Sequence, residues 1–114
     1  MHELSIAMSI IDVAQEEAAQ RRVKVTAVHI KVGALSGVVA DALLGSYEMA
    51  SNDTPLAGSK LIIEEVPAMI LCQKCGAAKP VSSIQWFCCA DCGSPGHEIV
   101  QGKELQVTAL EVAE

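Results

Sequence analysis

Aromatic residues are nearly missing from this chain: one Trp, one Tyr and one Phe stand among 114 residues. A core built on aromatic packing is therefore excluded, and the interior has to be aliphatic, drawn from Ile, Val, Leu, Ala and Met. Basic residues are also scarce, 8 Lys and Arg against 14 Asp and Glu, for a net charge of −6. A nucleic-acid surface needs a basic face to displace counterions, so that class of partner is excluded. An acidic balance suits a protein that handles cations or meets basic partners. No apolar run approaches the ~20 residues of a membrane span. The N-terminus has no basic stretch before an apolar one and carries Glu3, Asp12, Glu16 and Glu17 instead. Neither a signal peptide nor a membrane anchor is expected, and the expected location is cytoplasmic.

Against these absences stand five cysteines, four of them in two matched pairs. The pairs are Cys72-Gln73-Lys74-Cys75 and Cys89-Ala90-Asp91-Cys92, with thirteen residues between them, and each is followed at once by glycine, Gly76 and Gly93. Two knuckles that each present two sulfurs to one ion are the layout of a tetrahedral thiolate site. The glycine allows the tight turn that aims main-chain N–H groups at the sulfurs. One pair alone would also fit a redox dithiol. Paired cysteines without an export signal point to metal rather than disulfides. An S4 set accepts zinc or iron; zinc is the assignment made here. Cys88 sits beside Cys89 but out of register with the pairs, and reads as a small buried or half-buried hydrophobe.

The rest of the chain reads as one small α+β unit. Leu4, Ala7, Met8, Ile11, Ala14 and Ala18 recur at three- and four-residue spacing, widened by Ile6, Ile10 and Val13, and predict a helix over 4–20. Glu17 and Arg21 are spaced to pair on its outer side. Residues 23–32 read as a strand with Val28, Ile30 and Val32 on one face and His29 and Lys31 on the other, which makes His29 an exposed residue and not a ligand. A shorter helix is expected over 41–51, with Leu44, Tyr47 and Met49 turned inward, and with Gly45 either weakening it or admitting a neighbouring backbone. Residues 60–66 give a strand with Leu61 and Ile63 inward, ended by Pro67. A last strand over 103–112 carries Leu105 and Val107, then Leu110 and Val112, with a phase slip near Thr108-Ala109. The expected fold is α+β, two helices against a three-stranded sheet, formed by residues 1–67 and 103–114. A two-knuckle zinc module, residues 68–102, is inserted before the last strand.

The chain opens Met1-His2-Glu3-Leu4. A methionine followed by histidine is expected to be retained, which leaves a free α-amine one residue before an imidazole. The α-amine, the His2 amide, the His2 Nδ1 and the Glu3 amide can close five- and six-membered chelate rings. Nickel(II) and copper(II) favour such in-plane nitrogen sets.

Several stretches then occur in order: Met1-His2-Glu3-Leu4-Ser5-Ile6-Ala7, Gly33-Ala34-Leu35-Ser36-Gly37, Glu64-Glu65-Val66-Pro67-Ala68, the two knuckles closing with Gly93-Ser94-Pro95, Gly102-Lys103-Glu104-Leu105, and Leu110-Glu111-Val112. Together they resemble the HypA/HybF family of hydrogenase nickel-incorporation proteins from end to end. The resemblance implies a nickel metallochaperone that works with the GTPase HypB to load the large subunit of [NiFe]-hydrogenase, and in some members urease. It implies His2 and Glu3 at the nickel site, to which the chelate geometry adds the Met1 α-amine, and Cys72, Cys75, Cys89 and Cys92 as ligands of a structural zinc. The second knuckle departs from the family pattern, with Ala90 where proline usually stands. His97, just past that knuckle, reads as an exposed loop residue, with an auxiliary nickel role as the other reading. A rubredoxin-like electron carrier or a zinc-ribbon interaction module would use the same four cysteines; an iron site would be red and a zinc site colourless. An enzyme is not expected, because a four-thiolate zinc has no open position and no nucleophile–base set is visible. Monomer and homodimer both remain open.

Overall fold

The computed structural model describes residues 2–83, 85–96 and 98–114. Met1 and His97, both considered above, lie outside the described residues. Among the described residues the elements are, in order, α1 (Glu3–Arg21), β1 (Lys24–Gly33), α2 (Ala40–Ser51), β2 (Lys60–Val66), β3 (Met69–Cys72), β4 (Ala77–Ser83), β5 (Trp86–Cys89), β6 (Ile99–Gln101) and β7 (Leu105–Ala113). The strands form a three-stranded sheet, ordered β2-β1-β7, and a four-stranded sheet, ordered β5-β4-β3-β6. The chain divides into two compact units. One runs through Lys31, resumes over Val38–Glu64 and closes with Gln106–Glu114; the other comprises Val32–Gly37 and Glu65–Leu105.

In the first unit α1 packs against α2. The buried stripe of α1 is Ala7, Ile10, Ile11 and Ala14. Leu4, Met8 and Val13, read from the sequence as part of that stripe, are instead about half exposed. The apolar residues of α1 wrap more than half of the helix, and its packing takes only the narrower face. Arg22 ends the helix in a left-handed conformation, φ 55°, which aims the Val23 N–H at Ala18 O. The expected Glu17–Arg21 pair is present at 3.2 Å. In α2 the inward residues are Leu43, Tyr47 and Ser51, spaced four apart. Tyr47 is inward as expected, but Leu44 is 41% exposed and Met49 64%, and Leu43 takes the inward place expected of Leu44. A Cβ added at Gly45 would meet nothing within 4 Å, so no backbone comes close there.

Val28, Ile30 and Val32 of β1 are buried as expected, and Val25 and Ala27 are buried too. His29 is only half-buried, and its Nε2 lies 2.6 Å from Glu111 Oε2. In β2, Leu61 is buried and Ile63 half-buried. In β7 the least exposed residues are Val107 and Leu110, three apart. Residues three apart point to opposite faces of a strand, so each face of this edge strand is partly covered, and Leu105 and Val112 are left exposed.

The second unit is strand-built. β3 pairs antiparallel with β4, Cys72 opposite Ala77, and also with β6. β4 continues to β5. The segment after β1 is clamped by main-chain bonds: Gly33 N to Glu104 O at 2.7 Å, Ala34 N to Val66 O at 2.9 Å and Leu35 N to Gly102 O at 2.7 Å. This closeness explains Gly33, where an added Cβ would stand 2.0 Å from Gly102 O.

Candidate metal centre

The antiparallel β3–β4 pair carries the first knuckle at its turn. Cys72 ends β3, and the chain reverses through Gln73, Lys74 and Cys75 before β4 begins at Ala77. The second knuckle repeats this turn after β5, from Cys89. In both, the glycine N–H bonds back to the first cysteine's carbonyl: Gly76 N to Cys72 O and Gly93 N to Cys89 O, each 2.8 Å. Gly76 has φ 70° and Gly93 φ 76°, and an added Cβ would touch nothing at either. The requirement for glycine is therefore the left-handed backbone and not lack of space. In the first knuckle the turn aims the Cys75 N–H at Cys72 Sγ, 3.4 Å away, as the spacing predicted.

Seventeen residues apart in sequence, Cys72 and Cys89 are both buried at 1% exposure, while Cys75 and Cys92 lie nearer the surface. All four sulfurs fall within 4.8 Å of one another. Cys72 Sγ is 3.5 Å from Cys92 Sγ, and Cys75 Sγ is 3.9 Å from Cys89 Sγ. Four thiolates around an ion at ~2.3 Å would stand about 3.8 Å apart. The spacing thus fits one tetrahedral ion with little adjustment. No pair is at bonding distance for a disulfide, and all five cysteines are free. Cys88 is half-buried and lies outside the four-sulfur group.

The four thiols do not share their protons equally. The Ser94 hydroxyl and then its main-chain N–H bond the Cys92 sulfur and lower its pKa to about 6. Cys75 is pushed up to about 12, first by its bonds to the Cys92 and Cys72 sulfurs. A cation entering the site replaces protons that the cluster would otherwise hold between its sulfurs. Ser94 was quoted in the sequence only as part of a turn; its role on Cys92 is visible only when the second knuckle is folded.

At the other end of the chain, His2 is the residue before the first turn of α1. It is exposed, and its side chain makes no capping hydrogen bond. Glu3 lies in the first turn, and its Oε2 accepts a hydrogen bond from Val39 N at 3.3 Å, at the start of α2. That bond holds the Glu3 carboxyl below its ordinary pKa. The contact spans 36 residues and had no signal in the sequence.

A unit of two helices on a three-stranded sheet, joined in one chain to a strand-built four-cysteine module, defines a small metal-handling α+β protein. The family model described as "Hydrogenase/urease nickel incorporation, metallochaperone, hypA" matches residues 1–112. A "Hydrogenase maturation factor HypA" of Chloroflexus aurantiacus is 48% identical over 112 residues, covering 97% of this chain and 98% of that protein. One of Geobacter metallireducens is 42% identical, covering 98% and 99%. The solved structure of the Ni metallochaperone HypA from Helicobacter pylori superposes with a TM-score of 0.66 at 23% identity, over 98% of this chain and 97% of that one. Another, described as a solution structure of HypA protein, gives a TM-score of 0.72 at 23% identity, over 99% and 97%. The chain belongs to the HypA family of hydrogenase maturation factors, nickel metallochaperones. Among the described residues, no helix is long and apolar enough to cross a membrane.

Proposed function

We propose that the chain carries nickel(II) and hands it on during maturation of the [NiFe]-hydrogenase large subunit. The observation that carries this reading is the family match over residues 1–112, a span that includes both the opening residues and both knuckles. Nickel is the cargo, and its proposed ligands are Met1 through the α-amine, His2 and Glu3. The amides of His2 and Glu3 precede the first helical hydrogen bond, from Ile6 N to His2 O. They belong to the N–H groups that a helix leaves without an internal partner, so a metal can claim them without breaking α1. Zinc is the proposed ion for Cys72, Cys75, Cys89 and Cys92; when bound there it supplies folding free energy and no open coordination position. Residues 1–67 and 103–114 are then a nickel-binding domain and residues 68–102 a zinc-binding one. The proposed partners are a HypB-type GTPase and the hydrogenase large subunit, with urease maturation in reach because the family description includes it. The setting is cytoplasmic, and the role is carriage and not catalysis.

Equilibrium titration of the tag-free chain with nickel tests the reading. One equivalent should bind, and His2→Ala should abolish that binding while leaving zinc content unchanged. Protons compete for amines, imidazoles and amides, so affinity should fall steeply from about pH 8 to about pH 6, with more than one proton released per ion. A residue placed before Met1 should weaken binding sharply. Unchanged affinity in His2→Ala would overturn the site, and a pH-flat affinity would leave carboxylates such as Glu3 as the main ligands.

A further inference from the structure

A zinc ion held by four thiolates carries a net charge of −2, which groups outside the ligand set have to offset. The second knuckle makes this harder, because Asp91 places a carboxylate between the ligands Cys89 and Cys92. Lys79 of β4 answers it: its Nζ lies 2.9 Å from Asp91 Oδ2. The neighbouring main chain makes a second tie, from Ala90 N to Pro80 O at 3.0 Å. Two adjacent residues of β4, Lys79-Pro80, thus meet two adjacent residues of the second knuckle, Ala90-Asp91. β4 itself grows directly out of the first knuckle, with Ala77 opposite Cys72. The strand therefore links both halves of the site. The Lys79 ammonium is favoured in its charged form by its hydrogen bond to Asp91 and by that carboxylate's charge. Its side chain is 30% exposed, so the surrounding water screens it only in part.

We propose that Lys79 is a positioning residue of the metal centre, which neutralises Asp91 within the second knuckle and lends a positive charge to the metal-loaded thiolate cluster. The inference rests on the zinc reading above. It differs from a purely mechanical clasp, in which the two partners of the ion pair would matter equally. If charge is the cause, loss of Lys79 leaves Asp91 facing a negative centre, whereas loss of Asp91 leaves Lys79 free to face the thiolates.

The test is the rate of zinc release from the purified full-length chain into excess chelator, read with a chromogenic zinc dye. Lys79→Met should speed release by about two- to fivefold, the range expected for a partly exposed pair. Asp91→Asn should release zinc no faster than the parent, and the double variant should fall between the two. Lys79→Arg should restore the parent rate. Added salt should speed release in the parent more than in Lys79→Met, because only the parent has the pair to screen. Equal acceleration in Lys79→Met and Asp91→Asn would overturn the proposal in favour of a clasp, and so would an unchanged rate in Lys79→Met. If Lys79→Met does not fold, Asp91→Asn still decides, since faster release there contradicts the charge argument. Failure of the underlying zinc reading looks different: the parent itself would purify with less than half an equivalent of zinc.

Discussion

In the first unit α1 buries Ala7, Ile10, Ile11 and Ala14, β1 buries Val25, Val28 and Ile30, and α2 buries Leu43 and Tyr47. In the second unit the buried cluster is Ile70, Cys72 and Cys89, with Val81 and Ile99 packed half-buried against it. Two of its three members are proposed metal ligands. The first unit has aliphatic area enough to order itself; the second is a set of strands of seven residues or fewer around sulfurs. Small strand-built modules of this kind draw their folding free energy from the ion. The comparison teaches that a single chain can hold one region ordered by aliphatic packing and another whose buried centre consists largely of cysteines placed to hold a metal.

The largest effect should come from removing a ligand. Cys72→Ser takes away a buried sulfur at the end of β3 and should cost the module its ion, a loss on the order of 10 kcal/mol for structural zinc sites. Amide hydrogen exchange read by mass spectrometry should show β3, β4, β5 and β6 losing protection while α1, β1 and α2 keep theirs. Simultaneous loss of protection in α1 would show that the first unit depends on the metal as well, and the contrast would fail.

A packing change should act on the other side of the comparison. Leu43 is fully buried in α2, and Leu43→Ala should destabilise the first unit by about 2–5 kcal/mol. Leu44→Ala, one residue along and largely exposed, should stay within about 0.5 kcal/mol. Zinc content should remain at one equivalent in both. Urea unfolding followed by circular dichroism separates the two variants, and equal costs would mean that α2 is rotated from the orientation described.

That pair of leucines also marks where the sequence stopped being legible. The elements of the first unit were readable because their apolar residues repeat, and the helix and strand limits fell within a residue or two. The side of α2 that turns inward was readable only at Tyr47, since Leu43-Leu44 offers two phases and only packing against α1 chooses between them. The same holds for Leu4 and Met8, apolar but left outside. In the second unit the four ligands were legible from spacing and glycine alone, because a chelating turn is a local device. Its strands were not. β4 reads Ala-Ala-Lys-Pro-Val-Ser-Ser, with a proline and no alternation, and β6 has three residues. Their pairing is set by the knuckles and not by their own propensity. Contacts across the fold, Ser94 on Cys92, Lys79 on Asp91 and Val39 on Glu3, had no signature in composition or spacing.

A smaller effect, of opposite sign, is expected at Gly45. It lies inside α2 with an ordinary helical backbone and open space around a would-be Cβ. Gly45→Ala should therefore stabilise the first unit by about 0.5–1 kcal/mol, through the entropy of the unfolded chain. The midpoint of thermal unfolding should rise without any change in zinc release. A fall in that midpoint would mean that α2 needs the glycine for a reason that its surroundings do not reveal.

The smallest effect concerns how charge is settled in the first unit. The second unit gathers four thiols that can meet an ion; the first sets the Glu3 carboxylate against the Val39 N–H at the positive end of α2. Because this bond favours the charged form, the folded pKa of Glu3 lies below its unfolded one. A group shifted in that direction contributes stability at pH values above its unfolded pKa, and loses it as pH falls through the folded one. Stability of the first unit should then be insensitive to Glu3→Gln well below pH 4, where both side chains are neutral, and should favour the parent slightly near neutrality. NMR titration of the Glu3 carboxyl carbon checks the cause directly: its midpoint should be lower in the folded chain than in urea. The same charged, partly occupied carboxylate is what an arriving nickel ion would meet. Nickel bound at either carboxylate oxygen should withdraw charge from that hydrogen bond, and the Val39 amide resonance should shift on titration in the parent but much less in Glu3→Gln. A Val39 resonance that moves equally in both would place Glu3 outside the nickel site and leave the N-terminal nitrogens to bind the ion alone.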